Sequence, residues 1–434
     1  MFHSAEDVYT YLSSFINLER KLEPQEYRLD RMHYLRKLFG YPDEAMRTIH
    51  ITGSKGKGST ATLLASMLMA GGYRVGLFTS PHLLHFTERI CIDNLPVSEN
   101  ILLPCAEILA YHIPAGKPLP VAAYEFPTFF ELLTILALLC YKQAGCRYAV
   151  IEVGLGGRLD TTNVICPELS IITSLELEHT DILGDTVEKI ASEKAGIIKS
   201  MTPVISAVVD PLARDIIYTK AYNSLSPYYH LDTLVAQFQT SETRSGLQVT
   251  WTDEQGLHEL ATQLHGHVQA RNILTAHYAG KLLGLSAQAC MQGAVNTTLR
   301  ARFEILETDI PIILDGAHTK ASIENTVETY KKLFTVPCVL LFGTAQDKHS
   351  RDMLKTLHAI TAMAIITKPG TFKQSDPERL LHEAVSIGIP AKLITETEDA
   401  IRHAHNCAQQ LQLPLLVCGS FYLCAEAVQK LKVS

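Results

Sequence analysis

HITGSKGKGST, residues His50 to Thr60, decides how this chain is read. The run TIHIT that ends at Thr52 has the β-branched, apolar composition of a strand, and Lys57 to Gly71 has the length and composition of a helix. Between them Gly53 and Gly56, with Gly58 just beyond, let the backbone turn and approach a ligand. A strand, a glycine-rich turn and a helix start bring free N–H groups and the positive end of a helix dipole to one point. The stretch therefore predicts a cradle for anionic oxygen. Lys57 adds a point charge for β- and γ-phosphate, and the hydroxyl of Ser59 or Thr60 is suited to ligating Mg²⁺. The spelling is unusual: only two residues separate Gly53 from Gly56, and Gly58 stands between Lys57 and Ser59, unlike the Walker pattern G-x-x-x-x-G-K-S/T.

Outward from this loop, short apolar runs alternate with helix-length segments, the pattern of an α/β fold with a mostly parallel sheet. RVGLFTS is expected as the next strand, PTFFELLTILALLCYKQAG as a buried helix, and RYAVIEVG and LSIITSLE as further strands. Helix TVEKIASEKAGIIK and strand PVISAVV continue the series, which breaks at about Ser224 to Gly266, where GLQVTWTDEQGLHEL reads as a hairpin turning at Asp253 to Gly256. Helices follow from near His267 and from Ser286. After RARFEILETDIPIILDGAH a fresh αβ series begins with PCVLLFGTA, MAIITK, AKLITE and PLLVCGS, so two domains are expected, residues 1–298 and 299–434.

Composition removes whole classes of function. The 434 residues are 47% hydrophobic and 19% charged, a folded chain with a real core. A formal net charge of −7 offers no field for a nucleic acid, while small phosphates need only a local site. The start MFHSAEDVYTYLSSF lacks the features of a signal peptide, and LLTILALLCY, Leu132 to Tyr141, is too short to span a bilayer. A cytoplasmic protein that binds no membrane is expected, with its ten cysteines as reduced thiols, since no C-x-x-C pair occurs.

Three further segments carry chemistry. IEVGLGGRLDTTN puts Glu152 near the C-terminal end of an apolar strand, where α/β proteins bind ligands; the carboxylate either holds a cation or pairs with Arg158. SLELEHTDILG ends another strand with His179, whose neutral imidazole could complete a metal site. IASEKAGIIK places Lys194 and Lys199 on one helix behind Glu188 and Glu193, either as a solvated face or as part of the same site.

The ordered set GSKGKGS, TSPHL, EVGLGGRLDTTN, LEHTDILG, EKAGIIK, LDGAH and GSFYL resembles folylpolyglutamate synthase, often bifunctional with dihydrofolate synthase, within the Mur ligase superfamily. The resemblance spans about Tyr27 to Leu423. It implies an N-terminal Mur-ligase-type ATP-binding domain and a smaller Rossmann-like α/β C-terminal domain, with a cleft between them; a monomer is expected. It implies an ATP-dependent ligase that joins L-glutamate to a folate, or to dihydropteroate, through an acyl phosphate. Gly53, Gly56, Lys57, Gly58, Ser59 and Thr60 would hold the triphosphate, with Ser59 on its Mg²⁺. A second Mg²⁺ would be held by Ser80, Glu152 and His179, joined by Lys194, which matches a lysine carbamylated by CO₂ in that family. Gln269 and Asn272 match nucleotide contacts, Asn272 at adenine, and Arg302, Asp315 and His318 match residues that close on phosphates and ribose. Ser54 and Lys55 depart from the family's Thr-Asn, and Thr319 and Lys320 from its Asn-Pro; AAYEFPTFFE lies where the pterin end of the substrate is expected. Two other readings stay open: a Mur-type ligase for a UDP-linked cell-wall peptide, and a non-catalytic nucleotide-binding module.

Overall fold

The computed structural model describes residues 1–17, 28–119, 126–346, 348–370 and 374–431. Strands β1 (Arg47–Thr52), β2 (Val75–Phe78), β3 (Ile90–Ile92), β4 (Leu95–Pro96), β5 (Tyr148–Glu152), β6 (Leu169–Ile172), β7 (Val204–Ser206) and β8 (Tyr228–His230) form one sheet. Their order is β4-β3-β2-β5-β1-β6-β7-β8. Every pairing from β2 to β8 is parallel, and only β3 and β4 run antiparallel at the edge. Parallel strands covered by helices on both faces must be apolar throughout, and β2, β5, β6 and β7 are buried at every position.

The apolar run that cannot cross a bilayer is the helix Phe129–Ala144, with eleven of its residues buried. Among the described residues no helix is long and apolar enough to span a membrane. Thr128 caps this helix by accepting from Glu131 N–H, and Glu131 returns the bond to Thr128 N–H. Glu131 also meets Arg31 at 2.9 Å, with both side chains buried. Burying a lone carboxylate costs more than the pair, so losing Arg31 would strand it. None of the ten cysteines is bonded to another, and eight are buried.

A second sheet comprises β12 (Glu304–Glu307), β13 (Pro311–Asp315), β14 (Cys338–Phe342), β15 (Thr361–Ile366), β16 (Ala391–Leu393) and β17 (Leu415–Cys418), in the order β12-β13-β17-β14-β15-β16. It is parallel except for β12. Its core gathers Ile313, Leu340, Phe342, Leu354, Ile366 and Leu416.

Three features of the structure differ from the sequence reading. The expected hairpin is a three-stranded sheet, because β9 (Gln237–Thr243) joins β10 (Gly246–Asp253) and β11 (Gly256–Thr262). QFQTSET alternates only between exposed and half-buried positions, which weakens its signal as a strand. The compact units are not two unbroken halves: one comprises Met1–Phe238, Trp251–His258 and Arg271–Thr297, the other Gln239–Thr250, Glu259–Ala270 and Thr298–Ser434. Lastly, the helix Val187–Ala195 stops at Gly196, so Lys194 and Lys199 do not share it.

Candidate active site

The site follows from the strand order. β1 lies between β5 and β6, with Ile51 level with Glu152 and Thr52 level with Ile172, so loops leaving three strand ends meet at the C-terminal edge where the order reverses. Thr52 Oγ1 donates to Gly156 O at 2.6 Å, and Thr173 Oγ1 donates to Lys55 O at 2.6 Å, tying the first loop to the other two.

Residues 53–56 lead into the helix Lys57–Ala70, as the spacing predicted. Gly56 takes φ +81 as the residue before that helix, and a Cβ there would lie 2.4 Å from Asn272 Oδ1. Thr60 Oγ1 stands 3.5 Å from the same oxygen, so Asn272 is brought against the loop. Gly56→Ala imposes both strain and a collision. Its left-handed backbone alone costs about 1–2 kcal/mol. We expect a lowered melting temperature and at least about tenfold weaker ADP binding by calorimetry.

Ser54, one of the departures from the family spelling, holds the loop in place. Its Oγ donates to Glu176 O at 3.1 Å and accepts from Glu176 N–H at 2.9 Å, while its own N–H donates to Ser174 O. Lys55 N–H donates to Ser174 Oγ at 2.8 Å. Lys57 Nζ donates to Gly53 O at 2.9 Å, folded back over the loop it belongs to.

Glu152 is 4% exposed and accepts from Ser80 N–H at 2.9 Å. A Cβ on Gly58 would lie 3.4 Å from Glu152 Oε2, which places the carboxylate beside the helix N-terminus. Arg158 pairs instead with Glu193 at 2.7 Å, so of the two readings of Glu152 the ion pair with Arg158 is the one the structure removes. Asp160, buried, accepts from Leu155 N–H at 2.8 Å and Thr162 N–H at 3.0 Å, and so shapes the GLGGR loop. Burial raises its pKa.

Lys194 is 1% exposed, which ends the solvated-face reading. Burial, then the positive charge of Lys57, brings its pKa down to about 8. Its partner is Glu178, 3.2 Å away. Burial pushes Glu178 upward, but Lys194, Lys57 and Lys55 together bring it below the ordinary carboxylate value. His179 is exposed, with φ 48. Sequence reading passed over Glu178, Ser174 and Thr173; their signal was polar side chains clustered directly after an apolar strand, as on the loop after β1.

Among the described residues no three His, Cys, Asp or Glu side chains converge as a metal cage. Magnesium characteristically takes one or two carboxylates together with waters and substrate phosphates. A buried Glu152 beside the phosphate loop suits that mode, so the residues fit the ion.

Arg302, Asp315 and His318 gather in the second unit. Arg302 stacks on Phe421 at 4.1 Å, and His318 Nδ1 lies 2.8 Å from Gly316 O. Asp315 accepts from Thr326 Oγ1 at 2.7 Å and Ala317 N–H at 3.1 Å. Thr319 caps the helix Lys320–Leu333 through Ser322 N–H, so Thr319 and Lys320 leave a sound helix start without proline. Gln269 is buried in the first turn of the helix Val268–Leu282. Ala122 to Glu125 of AAYEFPTFFE lie outside the described residues.

Burial outweighs the Thr326 bond and the nearby Arg302 charge, raising Asp315 to about 6. A carboxylate with a raised folded pKa keeps its proton longer in the folded state, so stability falls as pH rises from about 4 to 6. The rise from 3.8 to about 6 corresponds to about 3 kcal/mol. Asp315→Asn is expected to be more stable than the wild type at pH 7.5 and nearly equal to it at pH 4, by denaturant unfolding at both values. A pH-independent difference would show that Asp315 ionises in the folded state as it does in water.

The Mur ligase middle domain family model matches residues 51–280, and the Mur ligase glutamate ligase domain model matches residues 301–421. The dihydrofolate synthase/folylpolyglutamate synthase of Bacillus subtilis is 32% identical, over 93% of this chain and 95% of that protein. The folylpolyglutamate synthase crystal structure from Thermotoga maritima has a TM-score of 0.84 at 29% identity, covering 99% of this chain and 96% of its own. E. coli FolC, solved in complex with DHPP and ADP, has a TM-score of 0.81 at 26% identity, covering 98% and 97%. With both domain models matched in order and relatives alike along nearly their whole length, this chain belongs to the folylpolyglutamate synthase/dihydrofolate synthase family of Mur ligases.

Proposed function

We propose that this enzyme uses ATP to join L-glutamate to the terminal carboxylate of a folate, and also to dihydropteroate. The observation that carries the proposal is a phosphate loop that bears Lys57 and whose Gly58 lies beside the buried Glu152, at the edge where β1, β5 and β6 end. The relatives' names supply the substrate class, and the E. coli protein's DHPP and ADP complex supports both the nucleotide and the second activity.

A carboxylate is a poor electrophile, so the γ-phosphoryl group of ATP passes to it first, giving an acyl phosphate and ADP. The glutamate amine attacks the acyl carbon, the C–N bond forms, phosphate leaves, and the amine proton goes to solvent. Two anions must meet in the first step. The N–H groups at the start of the helix and Lys57 offset that charge, with Lys57 turning from Gly53 O to the phosphates. Ser59 would hold one Mg²⁺, and Ser80, Glu152, His179 and carbamylated Lys194 a second; bound there, the ions supply charge neutralisation and orient the phosphates. Gln269 and Asn272 are assigned to the nucleotide base, and Arg302, Asp315 and His318 to its phosphates and ribose. No protein nucleophile is required.

The deciding assay follows ADP release with ATP, L-glutamate and, in separate arms, a reduced folate, dihydropteroate or a UDP-linked peptide. ADP formation dependent on a folate and on dihydropteroate is expected. Turnover with the UDP-linked peptide alone, or with none of the three, would overturn the proposal.

A further inference from the structure

The phosphate loop carries a second lysine, Lys55, and the segment after β6 sets a carboxylate against it. Glu178 Oε2 lies 3.8 Å from Lys55 Nζ, and Glu178 Oε1 lies 3.2 Å from Lys194 Nζ. The Glu178 side chain is 16% exposed and that of Lys55 34%, so the pair sits at the rim of the site. Partly shielded charges are screened by salt less than those on an open surface. The backbone on both sides is pinned: Lys55 N–H and O bond to Ser174 and Thr173, and Ser54 exchanges two bonds with Glu176. With both main chains fixed, what an arriving ligand can change is the pairing of the side chains. Lysine is a point charge on a flexible stem and changes partner readily. A diphosphate or triphosphate in the cradle of residues 53–60 would present more negative charge than the single carboxylate of Glu178.

We propose that Glu178 is a built-in counter-anion of the phosphate loop, holding Lys55 until a polyphosphate arrives, and that Lys55 then moves from Glu178 to the phosphate oxygens. The proposal rests on residues 53–60 being a polyphosphate site. It gives Glu178 an effect of unusual sign. As a competitor for Lys55 it weakens anion binding, so neutralising it tightens the site, whereas a carboxylate that only supports the fold would weaken binding when lost.

The test is calorimetric titration of inorganic pyrophosphate and of ADP into the full chain, in EDTA so that no divalent ion contributes. Glu178→Gln is expected to bind pyrophosphate about fivefold more tightly at low ionic strength, as removal of one nearby like charge implies. Lys55→Met should bind it about fivefold more weakly, and in the Lys55→Met background the Glu178→Gln gain should shrink below about twofold. Unchanged or weaker binding by a folded Glu178→Gln overturns the proposal, and so does an equal gain in the Lys55→Met background. Should Glu178→Gln fail to fold, Lys55→Met decides alone, and unchanged pyrophosphate affinity there overturns the proposal. A wild type that binds neither ligand fails at the earlier step, the polyphosphate reading of the loop.

Discussion

Lys57→Ala is expected to lower turnover by about three orders of magnitude, the loss typical of removing preorganised charge from a phosphoryl-transfer site. The backbone cradle survives the change, because Ser54, Lys55 and Thr173 hold it through bonds that do not involve Lys57 Nζ. The melting temperature should therefore stay within a few degrees of the wild type. ADP affinity should fall much less than turnover, since Lys57 is assigned to the charge that builds up as the γ-phosphoryl group transfers. Lys57→Arg is not expected to rescue: a planar fork cannot replace a compact ammonium in so close a loop. Steady-state ADP release beside calorimetric ADP binding separates these effects. Near-normal turnover would remove the loop from the mechanism.

Lys194→Ala is expected to lower turnover by about two to three orders of magnitude, with partial recovery in the presence of a short carboxylic acid such as acetate. An ammonium cannot ligate a cation, whereas a carbamate is the equivalent of a carboxylate. Carbamylation joins the lysine nitrogen to the carbon of CO₂ and releases one proton, so it consumes neutral amine. Burial, with Lys57 nearby, lowers the cost of that form by bringing the Lys194 pKa to about 8. Intact-mass measurement in bicarbonate should show the added mass of one CO₂ on the wild type and not on Lys194→Ala. Stripping CO₂ from the buffer should lower activity, and bicarbonate should restore it. Full activity in CO₂-free buffer, with no added mass under any condition, would return Lys194 to a plain ion pair with Glu178.

The departures from the family spelling mark where side-chain chemistry is not legible in a string. Ser54 could be read only as a small residue in a glycine-rich turn. Its two bonds to Glu176 depend on a segment more than a hundred residues away. Lys194 shows the same limit: charge pattern on a helix permitted a solvated face, and burial to 1% exposure is a property of what packs over it. Arg158 was a plausible neighbour for Glu152 by sequence distance, yet the turn of the GLGGR loop presents it to Glu193 instead.

By itself the sequence determined the alternation of strands and helices, the phosphate loop between β1 and its helix, and the order of motifs that marks the family. These are local: apolar periodicity, β-branched runs and glycines at a turn act over a few residues. Tertiary structure alone decided that β5 and β6 flank β1, and so that Glu152, Lys194 and the loop after β6 are brought to Lys55 and Lys57. It also decided that Glu178, unremarkable as a letter, stands between two lysines. The reason is that strand order and the closeness of charges depend on contacts among residues far apart in the chain, where burial and Coulomb energy act through space and leave no periodic trace along the sequence.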